Sequence, residues 1–175
     1  MLIYLDANIV QYCSDFEDYI FGTSESCSVI EPKARQEIDA LKKLVELEQL
    51  TEGWVVASSP HLMNELRAGR PTPTQDKNSR LLHDAWKESD WMENGDSVPS
   101  EVDRVAQSLK TLNLSSPDRR HLAEAVSVQA SWFLTNDKNT LREANKKNSA
   151  DLLRGLRVVR PSAFISEISV GLFLR

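Results

Sequence analysis

Four acidic residues stand where carboxylates can do chemistry. Asp6 closes the apolar run Leu2-Ile3-Tyr4-Leu5, and Asp137 follows Trp132-Phe133-Leu134-Thr135 with one residue between. Glu65 comes after Ser58-Ser59-Pro60 and Asp118 after Ser115-Ser116-Pro117. Both of those segments are helix starts, with a capping hydroxyl and a proline in the first turn. Acids at strand ends and in the opening turns of adjacent helices can meet at the carboxyl edge of a parallel sheet, where such sheets bind ligands. Four converging carboxylates repel one another unless a hard divalent cation lies between them. Mg²⁺ or Mn²⁺, which favour octahedral oxygen ligands, are the natural occupants. Such an ion can activate water and steady the charge of an in-line phosphoryl displacement, so no covalent nucleophile is required.

Each acid also has a plainer reading. Asp118 suits the positive end of a helix, Asp137 can cap the helix after it, and Glu65 can be a solvated helix residue. Asp6, at the end of a buried strand, has no structural duty on this reading. Asn8, Thr135 and Asn136 flank the acids and could orient them, although Asn and Thr are common in turns anyway.

Other chemistries find less support. His61, His83 and His121 form no zinc-spaced cluster with each other or with Cys13 and Cys27. His121, three residues after Asp118, could bond that carboxylate. Neither a Gly-x-Ser-x-Gly elbow nor a phosphate-binding Gly-Lys loop is present. An aspartyl-nucleophile phosphatase needs a second acid two residues after the first, and that position is Asn8. Trp86 and Trp91 among Lys77, Arg80 and Lys87 could stack and steer RNA, but Leu81, Leu82, Ala85 and Trp86 fit a helix packed on its own core better. Arg67, Arg70, Arg119, Arg120 and Lys138 could contact phosphates beside the acids, or form a solvated face.

The elements that must position these residues alternate. Strands are expected at Leu2–Leu5, Trp54–Ala57, Trp132–Thr135 and Leu156–Val159, and helices over Arg35–Leu50, from Ser58 to Gly69, around Asn78 to Met92, from about Ser97 to Lys110, after Ser115 and after Lys138. Residues 14–33 read as a loop with one helical turn, and Pro161 opens a short helix. Residues 168–174 read as an edge strand or a partner contact. Alternating strands and helices define an α/β domain with a parallel sheet.

The islands LDANIV, HLMNEL, PDRRHLAEAV and FLTND, with the closing VVRPSAF, resemble the PIN domain family of metal-dependent ribonucleases. The resemblance spans about half the chain. It implies a three-layer α/β/α sandwich on a parallel sheet of four or five strands, filling residues 1–175 as one domain with a helical insertion around 69–110. It also implies that Asp6, Glu65, Asp118 and Asp137 are catalytic and hold Mg²⁺ or Mn²⁺. Their activity would be endonucleolytic hydrolysis of RNA. Ala7 replaces the Thr or Ser many members carry, and Asn8 remains. The resemblance further implies a toxin paired with an antitoxin protein, and a possible homodimer through the apolar tail. A module without turnover, serving binding or assembly, and a nuclease directed to DNA or structured ends are the alternatives.

Composition sets limits. The chain has 175 residues, 21 Lys plus Arg against 26 Asp plus Glu, and a formal charge of −5, which argues against a passive charge-driven nucleic-acid binder. It leaves a cation-dependent enzyme open, since the ion supplies positive charge. Two cysteines cannot make a disulfide framework. An acid at position 6, with no basic start, disfavours a signal peptide, and no run approaches a membrane span. A cytoplasmic protein is therefore expected.

Overall fold

Apolar residues of both parities fill the strands, as a sheet covered on both faces demands. In the computed structural model, which describes residues 1–22, 24–29, 31–58, 72–74, 76 and 99–173, four strands form one parallel sheet in the order β2-β1-β3-β4. They are β1 (Leu2–Leu5), β2 (Val55–Ala57), β3 (Trp132–Leu134) and β4 (Arg157–Val159). Tyr4 pairs with Ala57 on one side of β1, and Leu5 with Leu134 on the other.

Eight helices are described: α1 (Ala7–Asp15), α2 (Glu17–Ile20), α3 (Pro32–Leu50), α4 (Pro99–Ser108), α5 (Ser116–Ser127), α6 (Lys138–Ala144), α7 (Ala150–Leu153) and α8 (Pro161–Phe173). Period-two alternation along β1 divides the core. Ile3 and Leu5, with Val56, Trp132 and Leu134, face Ile9, Ile38, Leu41 and Phe164 from α1, α3 and α8. Tyr4, with Phe133 and Val158, faces Val102, Val105, Leu122, Val126 and Leu153 from α4, α5 and α7. Helices thus cover both faces of the sheet, an arrangement compatible with an α/β/α sandwich. Each fully buried Leu, Ile or Phe in these layers contributes on the order of 1.5–3 kcal/mol of transfer free energy.

Local chemistry sets the element ends. Glu31 accepts the Ala34 amide, Pro32 occupies the first turn of α3, and the helix stops before Gly53, whose φ of +79° closes the turn into β2.

Two expectations need correction. The loop with one helical turn read over residues 14–33 has α2 as its turn, but the expectation omits α1, which runs Ala7–Asp15 and buries Ile9, Val10 and Cys13. Residues 168–174 read as an edge strand or a partner contact, and α8, which runs on through Phe173, overturns the strand. Phe164, Ile165 and Ile168 fall at helical spacing and pack into the first core layer, which overrides the apparent alternation of the tail. The helix expected from Ser58 to Gly69 and the one around Asn78 to Met92 lie outside the described residues. So does most of the 69–110 insertion, of which α4 and the 3-10 turn Leu109–Thr111 are seen.

Candidate active site

The strand order fixes where a ligand could sit. The chain leaves β1 toward β2 on one side and leaves β3 toward β4 on the other. The crevice between the carboxyl ends of β1 and β3 is therefore the topological switch point, where open α/β sheets bind their ligands. The first residues past those ends are Asp6 and Thr135. The Asp6 amide bonds the Leu134 carbonyl at 3.1 Å, and the Thr135 amide bonds the Val159 carbonyl at 3.0 Å.

Asp6 is buried and heavily engaged. Its Oδ1 accepts the Ala7 amide at 2.9 Å, and its Oδ2 accepts the Thr135 hydroxyl at 2.6 Å and the Asn8 side-chain amide. This overturns the expectation that Asp6 has no structural duty: it is the N-cap of α1, and capping and site chemistry fall on one carboxylate. Asn8 Nδ2 also reaches Thr135 Oγ1 at 3.1 Å, and Asn8 Oδ1 accepts the Asn136 amide at 2.9 Å. Thr135 Oγ1 in turn accepts the Asp137 amide at 3.0 Å. Asp6, Asn8, Thr135, Asn136 and Asp137 therefore form one continuous hydrogen-bonded rim across the two central strands. Asp137 Oδ1 caps α6 through the Thr140 amide at 2.6 Å. Both oxygens of Asp6 are occupied, whereas Asp137 has one oxygen beyond its capping bond.

Asp118 belongs to a different element. Ser115 caps α5 by accepting the Asp118 amide at 3.2 Å and donates its hydroxyl to Asp118 Oδ2 at 2.6 Å. One turn further on, His121 is 2% exposed and stands with Nδ1 3.4 Å from Asp6 Oδ1. Asp118 precedes His121 by three residues, about one turn, on the same helix. His121 contacts Asp6, not the Asp118 carboxylate that its spacing suggests.

A buried acid not foreseen in the sequence ties these helices together. Glu143 of α6 accepts the Asn113 amide at 3.0 Å, and Asn139 donates to the Asn113 carbonyl at 2.9 Å. The link before α5 is thus pinned to the helix that Asp137 starts. Lys146, the Asn113 amide and Arg142 hold the Glu143 carboxyl below its ordinary range. Arg119 is spent on the Leu114 carbonyl at 2.6 Å, and Arg120 pairs with Asp103 and Glu124, each at 3.4 Å. Those two arginines are structural ties. Burial pushes the Cys13 thiol up to about 12, which removes it as a nucleophile.

Glu65, His61, His83, Trp86, Trp91, Arg67 and Arg70 lie outside the described residues. Among the described residues, no three His, Cys, Asp or Glu side chains stand together as a metal cage. The donors present are hard oxygens, suited to Mg²⁺ or Mn²⁺ in kind. Among the described residues, no helix is long and apolar enough to cross a membrane. No protein-family model, curated protein or solved structure matches the chain.

Proposed function

We propose that this chain is a metal-dependent endoribonuclease of the PIN kind. The observation that carries the reading is the rim at the switch point. There Asp6 is oriented by Thr135, Asn8 and the Ala7 amide, shares its network with Asp137, and lies against His121 of α5, the helix that carries Asp118 in its first turn. Asp6, Glu65, Asp118 and Asp137 would hold one or two divalent ions. A bound Mg²⁺ or Mn²⁺ would supply an activated water and offset charge on the phosphodiester in its in-line displacement. The protein's share is orientation. Thr135 and Asn8 fix the Asp6 carboxylate, and Ser115 fixes that of Asp118, as outer groups commonly do for metal ligands. A toxin controlled by an antitoxin protein, acting as a homodimer, is the setting that the sequence resemblance implies.

The test is cleavage of a fluorescent single-stranded RNA with Mn²⁺, with Mg²⁺ and with chelator, beside Asp6→Asn, with a matched DNA strand in parallel. Asn retains capping ability but removes the charge, so the variant should fold and cut at background. Metal-independent cutting, or equal cutting by Asp6→Asn, would sink the reading. Folded protein that cuts no RNA or DNA would point to the binding module, and preference for DNA to the other nuclease class.

A further inference from the structure

Beside the rim, a cleft of about 640 Å³ opens between the starts of α3 and α8, and Asn136 and Lys138 form its wall toward Asp137. Its cations come from three separate elements: Lys33 on α3, Lys138 on α6 and Arg160 just before α8. Lys33 and Lys138 are exposed and make no ion pair among the described residues. Arg160 reaches an acid only at 3.8 Å, to Glu37. The two acids of the cleft are already engaged. Glu31 caps α3 through the Ala34 amide, and Glu37 accepts both the Ser162 amide at 2.9 Å and the Ser162 hydroxyl at 2.8 Å.

Two further features make the cleft more than a basic patch. The Tyr12 ring lines it, half-buried and stacked on Phe16 with centroids 6.2 Å apart, which steadies the ring. The side-chain amide of Asn136 lies at the junction with the rim, and among the described residues neither its buried Oδ1 nor its buried Nδ2 has a hydrogen-bond partner. Spaced cations with a fixed aromatic ring are the combination that takes a single polynucleotide strand, phosphates on the cations and a base on the ring. A chain of net charge −5 can present such a local site because three cations outnumber the two acids, Glu31 and Glu37, that line the cleft with them.

We infer that this cleft binds a single-stranded polynucleotide next to the rim, with Lys33, Lys138 and Arg160 on successive phosphates and Tyr12 under one base. The inference rests on the nuclease reading only in making this strand the one that is cut.

The two are separated by measuring binding without cleavage: fluorescence anisotropy of a labelled twelve-nucleotide RNA, and of the same DNA sequence, in chelator across a salt series. Lys33→Glu with Lys138→Glu should weaken binding about tenfold or more and reduce the log–log salt slope by about 0.7 for each phosphate no longer neutralised. Tyr12→Leu, which keeps an apolar side chain on the core, should weaken it about tenfold with the salt slope unchanged. Lys147→Glu, on the exposed link between α6 and α7, should bind as wild type. Wild-type affinity in the double variant, or no binding of either strand at low salt, overturns the cleft. An acidic peptide that competes as well as the oligonucleotide also overturns it, because the site would then be a generic polyanion surface. If binding follows these residues but no metal-dependent cutting occurs, the cleft stands and the nuclease reading falls. If cutting is metal-dependent but indifferent to these variants at subsaturating RNA, the reverse holds.

Discussion

Thr135 does three things with one hydroxyl: it donates to Asp6 and accepts from Asn8 and from the Asp137 amide. It is fully buried, so a substitution that keeps its shape isolates those bonds. Thr135→Val is expected to lower metal-dependent cleavage about 10- to 100-fold, in line with the loss of an orienting group behind a metal ligand. Leaving the Asp137 amide without its acceptor should also cost about 1–3 kcal/mol of stability. Thr135→Ser should restore most of both. Steady-state cleavage and urea titration of the two variants check this, and full activity in Thr135→Val would mean that Asp6 needs no orientation from β3. That Asp6 and Asp137 sit at strand ends was legible in the sequence. That Thr135 could orient an acid was legible too, but that one hydroxyl joins both acids follows from the pairing of β1 with β3, which brings together residues 129 positions apart.

Among the elements, α6 is the one that registers the others. It starts at Asp137, and through Glu143 and Asn139 it grips the Asn113 link that delivers Ser115 and Asp118. The Glu143 carboxyl titrates below its usual 4.5, chiefly because of Lys146 and then of the Asn113 amide. A depressed folded-state value fixes the sign. Its stabilisation is fully present above the unfolded value and disappears as pH falls through the folded one. Glu143→Gln should therefore melt earlier than wild type near pH 7, and the two should converge as the pH falls from the ordinary carboxylate range through the depressed folded-state value. Thermal unfolding of both proteins over that range measures it, and a constant difference at all pH values would refute the linkage. Periodicity revealed most of the elements, since α3, α4, α5 and all four strands follow from apolar spacing and Ser-Pro starts. It missed α1 because its buried residues, Ile9, Val10 and Cys13, are interrupted by Gln11 and Tyr12. It missed Glu143 because an acid buried against a loop amide looks in sequence like any solvated helix residue.

At the scale of the whole molecule, the sheet couples two cores that never meet. Ile3 and Leu5 serve one layer while Tyr4, between them, serves the other, stacked on Phe133 with centroids 5.4 Å apart and bonded to Glu124 of α5 at 2.9 Å. The site, with Asp6 of the rim starting α1 and His121 of α5 against it, then draws on both layers. Phe164 of α8 tests the coupling from the far side. It is fully buried, edge-on to Trp132 at 5.0 Å and to Trp54 at 5.9 Å. Phe164→Ala should cost about 3–5 kcal/mol. If the sheet transmits that loss, the amides of α5 should lose hydrogen-exchange protection in step with those of α3, although no atom of α5 has been changed. Wild-type protection in α5 with loss confined to α3 and the sheet's near face would mean that the two layers open independently. His121 and the rest of α5 would then keep their order while the rim residues that start α1 frayed, and any metal-dependent cleavage would be lost before the protein unfolded.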